Sequence, residues 1–393
     1  MNTLSRTVQA TAPRADRSAM SAIIGFAAIV PAVLMMAPAI ATQLASQLQL
    51  GPVEIGTLFS AELGAMSLAT LPAFFWLPRV NWRKAAWLAV AIFIMGNLLS
   101  AISMDYPILL GLRVLSALAG GSLMILCLSA AATQPKPDRV YGLWVMGQLL
   151  LGAAGLALLP TLFARFGLAA CYAGLALLMA LCAPLARHFP TGHQTDPQPT
   201  ANRQAQGQRK PASLGIIATL AFYISLSGVW TFIGEIARQA GIAPQQSGNI
   251  FAIATLLGVA GAGTAALIGS RLPRSRLLLA GFTMMMAAML LLLGNPALLR
   301  FATAALLFKY SWTFILPFIL ATLADIDHSG KLMNATNLVI GGGLAIGPAL
   351  AGQLIAANHG SLYPLLMLAT LIAGCALALL LMLQLRTSSP TPN

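Results

Sequence analysis

The sequence predicts an all-α integral membrane protein of twelve transmembrane helices arranged as two pseudo-symmetric six-helix bundles. Three observations carry this. Hydrophobic residues make up 58% of the chain and charged residues only 8%, against the roughly 25% charged residues of an ordinary soluble domain. Apolar runs recur between short polar or Pro-marked breaks, each near the roughly 20 residues a helix needs to cross the hydrocarbon core. The second half also repeats the punctuation of the first at a constant spacing of 192 residues.

The helices fall in order at 21–45, 53–77, 84–104, 106–133, 139–164, 167–188, 212–237, 244–270, 275–294, 298–324, 331–357 and 360–385. The first run is far longer than the 7–15 apolar residues of a signal peptide and is expected to stay as a span, although "APAIATQLA" loosely resembles a cleavage site. An even number of helices puts both ends of the chain on one side.

Lys and Arg decide which side. With a cytoplasmic N-terminus, seventeen of the 22 fall in inner segments, Arg165, Arg238 and Arg300 fall in outer ones, and Arg113 and Lys309 fall inside helices. That bias predicts cytoplasmic termini; a bacterial-type inner membrane is the expected location. The expected organisation is a cytoplasmic tail at 1–20, a first bundle at 21–189, a linker at 190–211, a second bundle at 212–387 and a tail at 388–393. The linker is rich in Pro and Gln, so disorder is expected there.

The repeat pairs Pro52, Gly56, Phe59, Arg79 and Lys84 with Pro244, Gly248, Phe251, Arg271 and Arg276, and Arg139 and Gly155 with Lys331 and Gly347. These are turn-forming, close-packing and charged positions rather than the common Ala and Leu, and they indicate a six-helix duplication.

Several function classes drop out. The formal charge is +13, but the cations are dispersed through loops rather than gathered on a basic face with interleaved aromatics, so no nucleic acid partner is expected. Cys127, Cys171, Cys182 and Cys375 lie in apolar runs and the four His residues are scattered over loops, leaving no metal site to propose. No GxxxxGK[ST], HExxH or GxSxG motif is present, so neither an ATP-driven pump nor an enzyme is expected, and no catalytic residues or cofactor are assigned. A proton gradient is the expected energy source. The expected partners are a small-molecule substrate and the lipid bilayer, with the protein a monomer.

Local motifs add a family resemblance. The loop "LPRVNWRKAA", with Arg79, Arg83 and Lys84, resembles the basic second-to-third loop of the major facilitator superfamily, without that motif's Asp. "LRVLSALAGGSL", containing Arg113, is similar to the fourth-helix Arg and small residues that the family uses in coupling. "GGGLAIGPALAG" at 341–352, with Gly343, Gly347 and Pro348, resembles the Gly-x-x-x-Gly-Pro pattern of drug antiporters, but lies in helix eleven rather than five, where only "GQLLLGAAG" stands. The resemblance implies two bundles rocking about a central cavity lined by helices 1, 4, 7 and 10. The Gly-rich runs then serve either gating or static close packing.

Against this frame the buried charges become the candidate site. Glu62 lies about nine residues below the outer end of helix two and Arg113 about seven below that of helix four, which places both near 10–14 Å deep at 1.5 Å per residue. A lone charge at membrane depth costs roughly 3 kcal/mol on insertion scales, and two opposite charges at one depth offset that by pairing. Two readings of the pair stand: a salt bridge that holds the first bundle together, or a proton site in which Glu62 is loaded and unloaded. Glu235, near the outer end of helix seven, is either an exposed lip residue or a second proton site.

Lys309, eleven residues into helix ten, either faces the cavity or snorkels to the outer surface. Together with Arg113 it would favour an anionic substrate group, or a neutral one with carbonyl acceptors. Trp230, Tyr310 and Trp312 offer an apolar wall for a ring-bearing ligand, and Gln148 and Asn337 either hydrogen-bond substrate or join helices. The expected function is proton-coupled secondary transport of a small amphipathic or aromatic organic solute by alternating access, with export favoured. Uptake of an organic anion by symport, and a non-transporting receptor or scaffold, are the alternatives.

Overall fold

The computed structural model describes residues 17–189, 209–269, 271–327 and 331–388; the expected tails and linker lie largely outside them. Twelve spans are present among the described residues. They are α1 (Arg17–Ile29, Ala32–Met35 and Ala37–Gln47), α2 (Pro52–Leu68 and Thr70–Trp76), α3 (Trp82–Ile102), α4 (Tyr106–Ala132), α5 (Pro137–Phe166) and α6 (Ala169–Cys182, extended by the 3-10 turn Ala183–His188), then α7 (Arg209–Gln239), α8 (Pro244–Ile268), α9 (Arg274–Leu291), α10 (Leu298–Ala324), α11 (Lys331–Ala357) and α12 (Tyr363–Ser388). The last ten are each long and apolar enough to cross a membrane; α1 and α2 reach that length only as broken rods.

The break in α1 corrects the single rod expected at 21–45. Proline has no backbone N–H, so Pro31 and Pro38 each leave the carbonyl four residues earlier without its helical donor. Helical bonding resumes in short pieces, with Met36 N–H donating to Ala32 O at 2.9 Å and Ile40 N–H to Met36 O at 3.2 Å. Residues 30–38 are all buried, so the freed carbonyls must find their partners within the protein. Helix starts elsewhere follow their sequence signals: Asn81 Oδ1 accepts from Lys84 N–H at 3.2 Å, and Asp105 Oδ1 from Ile108 N–H at 3.1 Å.

The outward faces of the helices are apolar as well as the inward ones. Along α3, Ala86, Val90, Phe93, Asn97 and Ser100 are buried, whereas Leu88, Met95 and Ile102 point outward at seven-residue spacing. Such an outward apolar stripe is what lipid requires in place of a polar surface.

The 192-residue repeat is legible in the packing. Gly56 of α2 lies against the carbonyl of Pro348 in α11. Gly248 of α8 lies against the carbonyl of Leu156 in α5, where a Cβ would stand 2.6 Å from that oxygen. Gly56 and Gly248 are repeat equivalents, and so are Leu156 and Pro348. The two seams between the halves are therefore built twice from one plan, by glycines that let a carbonyl approach the neighbouring backbone. A third contact closes the middle: Gly234 of α7 faces Pro38 O and Thr42 of α1, and Gly234 and Thr42 are again equivalent positions.

Candidate functional site

Glu62 and Arg113 meet inside the first half. Arg113 Nε donates to Glu62 Oε2 at 3.2 Å, its Nη2 donates to Glu62 Oε1, and its Nη1 donates to Asn97 Oδ1 at 2.8 Å. The guanidinium carbon also stands 4.6 Å from the centre of the Tyr172 ring. Four helices, α2, α3, α4 and α6, thus supply one side chain each. Glu62 and Arg113 are 6% and 1% exposed, so this is a desolvated pair with two-point geometry. Asn97 is fixed in turn by its own Nδ2–H on Phe93 O at 2.8 Å. A cavity of about 10 Å³ beside the pair is also lined by Pro31 and Leu34 of the broken segment in α1.

Lys309 is the counterpart in the second half, and it does not snorkel. It is 1% exposed, and its Nζ lies 4.1 Å from the Trp230 ring centre and 3.9 Å from that of Trp312. No carboxylate pairs with it among the described residues. The cage is itself supported by rings: Trp230 stacks with Phe308 at 6.4 Å and meets Phe251 edge-on at 5.8 Å. Trp230 Nε1–H donates at 2.9 Å to Leu34 O, the carbonyl that Pro38 leaves without a helical donor. One indole therefore touches the cation of its own half and the backbone of the other.

The remaining candidates lie apart from these two clusters. Tyr310 turns to α8, where its hydroxyl meets Thr264 Oγ1 at 2.7 Å, and it stacks on Phe314. Gln148 is half-buried on α5 and Asn337 is exposed on α11. Glu235 pairs with Arg238 one turn on, at 2.7 Å from Nε, and accepts from Gln239 at 3.0 Å. Arg79, Arg83 and Lys84 are exposed, with Arg79 donating to Phe75 O at 2.6 Å and Arg83 to Phe189 O at 3.3 Å. Gly343 and Gly347 pack α11 on Tyr223 and Ser227 of α7, and Pro348 supplies the carbonyl already described at Gly56.

Two grooves open at the end of the bundle where α1 gives way to α2. One, of about 680 Å³, runs between α1, α2, α7 and α11 and includes Pro52, Glu235 and His359; the other, of about 280 Å³, runs between α1, α5, α7 and α8 and includes Pro160 and Phe251. Thr42, Ser46 and Arg238 border both, so the grooves flank a ridge where α1 crosses α7.

Sequence reasoning missed four participants. Asn97 and Tyr172 complete the shell of Arg113, and Pro38 with the Leu34 carbonyl anchors Trp230. Asn97 was the findable one, a single amide in the middle of an otherwise apolar helix.

A twelve-span chain with two related halves, each holding buried charge, has the architecture of a membrane transporter. The profile of the Major Facilitator Superfamily matches residues 18–216, and the chain belongs to that family. It is a transporter rather than an enzyme. Its fold is similar to that of a mutant of the nucleoside transporter NupG, with a TM-score of 0.71, 11% identity, and coverage of 94% of this chain and 99% of that one. It is similar also to the POT family transporter PepTSo, with a TM-score of 0.73, 12% identity, and coverage of 95% and 98%. At such identities the likeness is one of fold. No curated protein matches the sequence.

Proposed function

We propose that the protein is a proton-linked secondary transporter that exports a small amphipathic solute with an aromatic or apolar body, using a central site at the contact between its halves. The observation that carries this is the Lys309 ammonium held between two indoles, one of them hydrogen-bonded to the opposite half. Rings of this kind take a flat or greasy ligand, and a site shared by two moving halves can be presented to either side in turn. Glu62 is the proposed proton carrier, its carboxylate being the one that membrane-depth packing sets against a fixed cation. The dispersed basic loops support cytoplasmic termini.

Lys309 favours a second reading. An ammonium without a carboxylate is a receptor for one, so an organic anion entering by proton symport fits the same cage. Vesicles with an imposed proton gradient separate the readings. Extrusion of a hydrophobic dye or amphipathic drug supports the first, proton-driven accumulation of an aromatic carboxylate supports the second, and gradient-independent flux of both, unchanged in Glu62→Gln, overturns proton coupling.

A further inference from the structure

We propose that Trp230 is a positioning residue that latches the two halves together, through a backbone carbonyl that a proline makes available. In an unbroken helix the Leu34 carbonyl would accept from residue 38, but Pro38 has no N–H to give. The Leu34 carbonyl keeps only a share of the Met36 N–H, whose aligned bond goes to Ala32 O; a buried carbonyl so poorly satisfied is costly, and Trp230 Nε1–H meets it at 2.9 Å from α7, 196 residues away. The two residues therefore form one device: the proline creates the acceptor and the indole of the other half takes it.

The neighbours say what the device senses. On one face of α1, Pro31 and Leu34 line the small cavity shared with Glu62 and Arg113. On the other, the Trp230 ring carries the Lys309 ammonium on its face at 4.1 Å. The broken segment of α1 thus lies between the buried ion pair of the first half and the buried cation of the second. A ligand that draws Lys309 off the indole frees the ring to turn, and turning takes Nε1 away from Leu34. Because Gly234 lies one helical turn further along α7, against Pro38 O and Thr42, release at Trp230 loosens the whole α1–α7 crossing between the two grooves.

The purpose of the latch rests on the transport reading above, but its existence does not, and the test uses the substrate-free full chain without a proton gradient. Ala41 is 5% exposed and lines the larger groove with Phe232 and Glu235 of α7. In an Ala41→Cys background, the rate of modification by a membrane-impermeant charged thiol reagent reports opening of the crossing, with the chain lacking that substitution as control for the native cysteines. Trp230→Phe keeps a ring and removes the donor, and should raise the rate about tenfold, the equilibrium shift that loss of one ordinary hydrogen bond produces. Pro38→Ala leaves Trp230 intact but returns a backbone donor to Leu34, and should raise it similarly. The double variant should exceed neither single by more than a factor of two, since both act on one bond.

Labelling at the parental rate in both single variants, or effects that multiply in the double, would overturn the latch. If labelling responds as stated while no gradient drives any flux, the latch stands and the transport reading fails. If flux is gradient-driven and labelling does not respond, only the latch fails. Should Trp230→Phe not fold, Pro38→Ala alone decides, because it disturbs no side chain in the ring cluster.

Discussion

Glu62 and Arg113 sit side-on, with Nε of the arginine 3.2 Å from one carboxylate oxygen and Nη2 on the other, and the pair is closed off within one half of the molecule. Its attraction repays desolvation only because both oxygens are engaged, and removal of either partner strands the other. Glu62→Ala is therefore expected to lower stability by about 3–5 kcal/mol, measured as thermal or denaturant unfolding in detergent. A Glu62→Leu, Arg113→Met double variant should regain most of that stability while losing gradient-driven flux. Recovery of flux along with stability would make the pair structural only.

Asn97 is predicted to matter through Arg113 rather than on its own account. Its Oδ1 takes the third side of the guanidinium at 2.8 Å, and both residues are fully buried. Asn97→Leu leaves a buried N–H unpaired and should cost about 1–3 kcal/mol. In the Arg113→Met background the same change should cost little, so a double-mutant cycle reads the coupling directly.

The reasons some of this was legible in the sequence are physical. Charge bias, apolar length and the 192-residue repeat are properties of single residues against a uniform solvent, so twelve spans and two halves could be read from them. The pairing of Glu62 with Arg113 followed because equal depth in lipid leaves opposite charges few alternatives. Lys309 was ambiguous because a long side chain reaches either the surface or the interior; only packing by Trp230 and Trp312 settles that it goes inward. The break in α1 was missed for a different cause. Pro31 and Pro38 interrupt a run that hydropathy alone reads as continuous, and the partner of the freed carbonyl comes from a helix nearly two hundred residues away.

The twin seams give a symmetry-based expectation. Gly56 faces Pro348 O, and Gly248 faces Leu156 O so closely that a Cβ would lie 2.6 Å from it. Gly56→Val and Gly248→Val should each destabilise by about 1–3 kcal/mol or more, as overpacking does, and by similar amounts. Gly263, on the same helix as Gly248, has no neighbour within 4 Å of an added Cβ. Gly263→Ala should leave stability unchanged or raise it by about 0.5–1 kcal/mol through lower chain entropy. Unfolding midpoints of the three variants beside the parent check the ranking.

On the surface the expectation is a small effect. Arg274 and Asp325 join α9 to α10 at 2.5 Å, but the carboxylate side chain is 63% exposed. Exposed pairs contribute about 0–1 kcal/mol, so Asp325→Ala should shift the unfolding midpoint by no more than the lower end of the Asn97→Leu effect, and less still at high salt.

Lys309 separates stability from function most sharply. A desolvated ammonium forgoes several kcal/mol of hydration, whereas each cation–π contact returns about 2 kcal/mol in a dry site. Two rings at 4.1 and 3.9 Å therefore roughly balance the loss without exceeding it. Lys309→Met, which keeps the stem and removes the charge, is expected to hold or raise the unfolding midpoint. Binding of an aromatic carboxylate should fall by an order of magnitude or more in the same variant, since its counter-ion is gone, while a neutral aromatic solute should bind as before. A lowered midpoint would mean that the ammonium holds the rings together; unchanged carboxylate binding would remove Lys309 from the recognition of substrate charge.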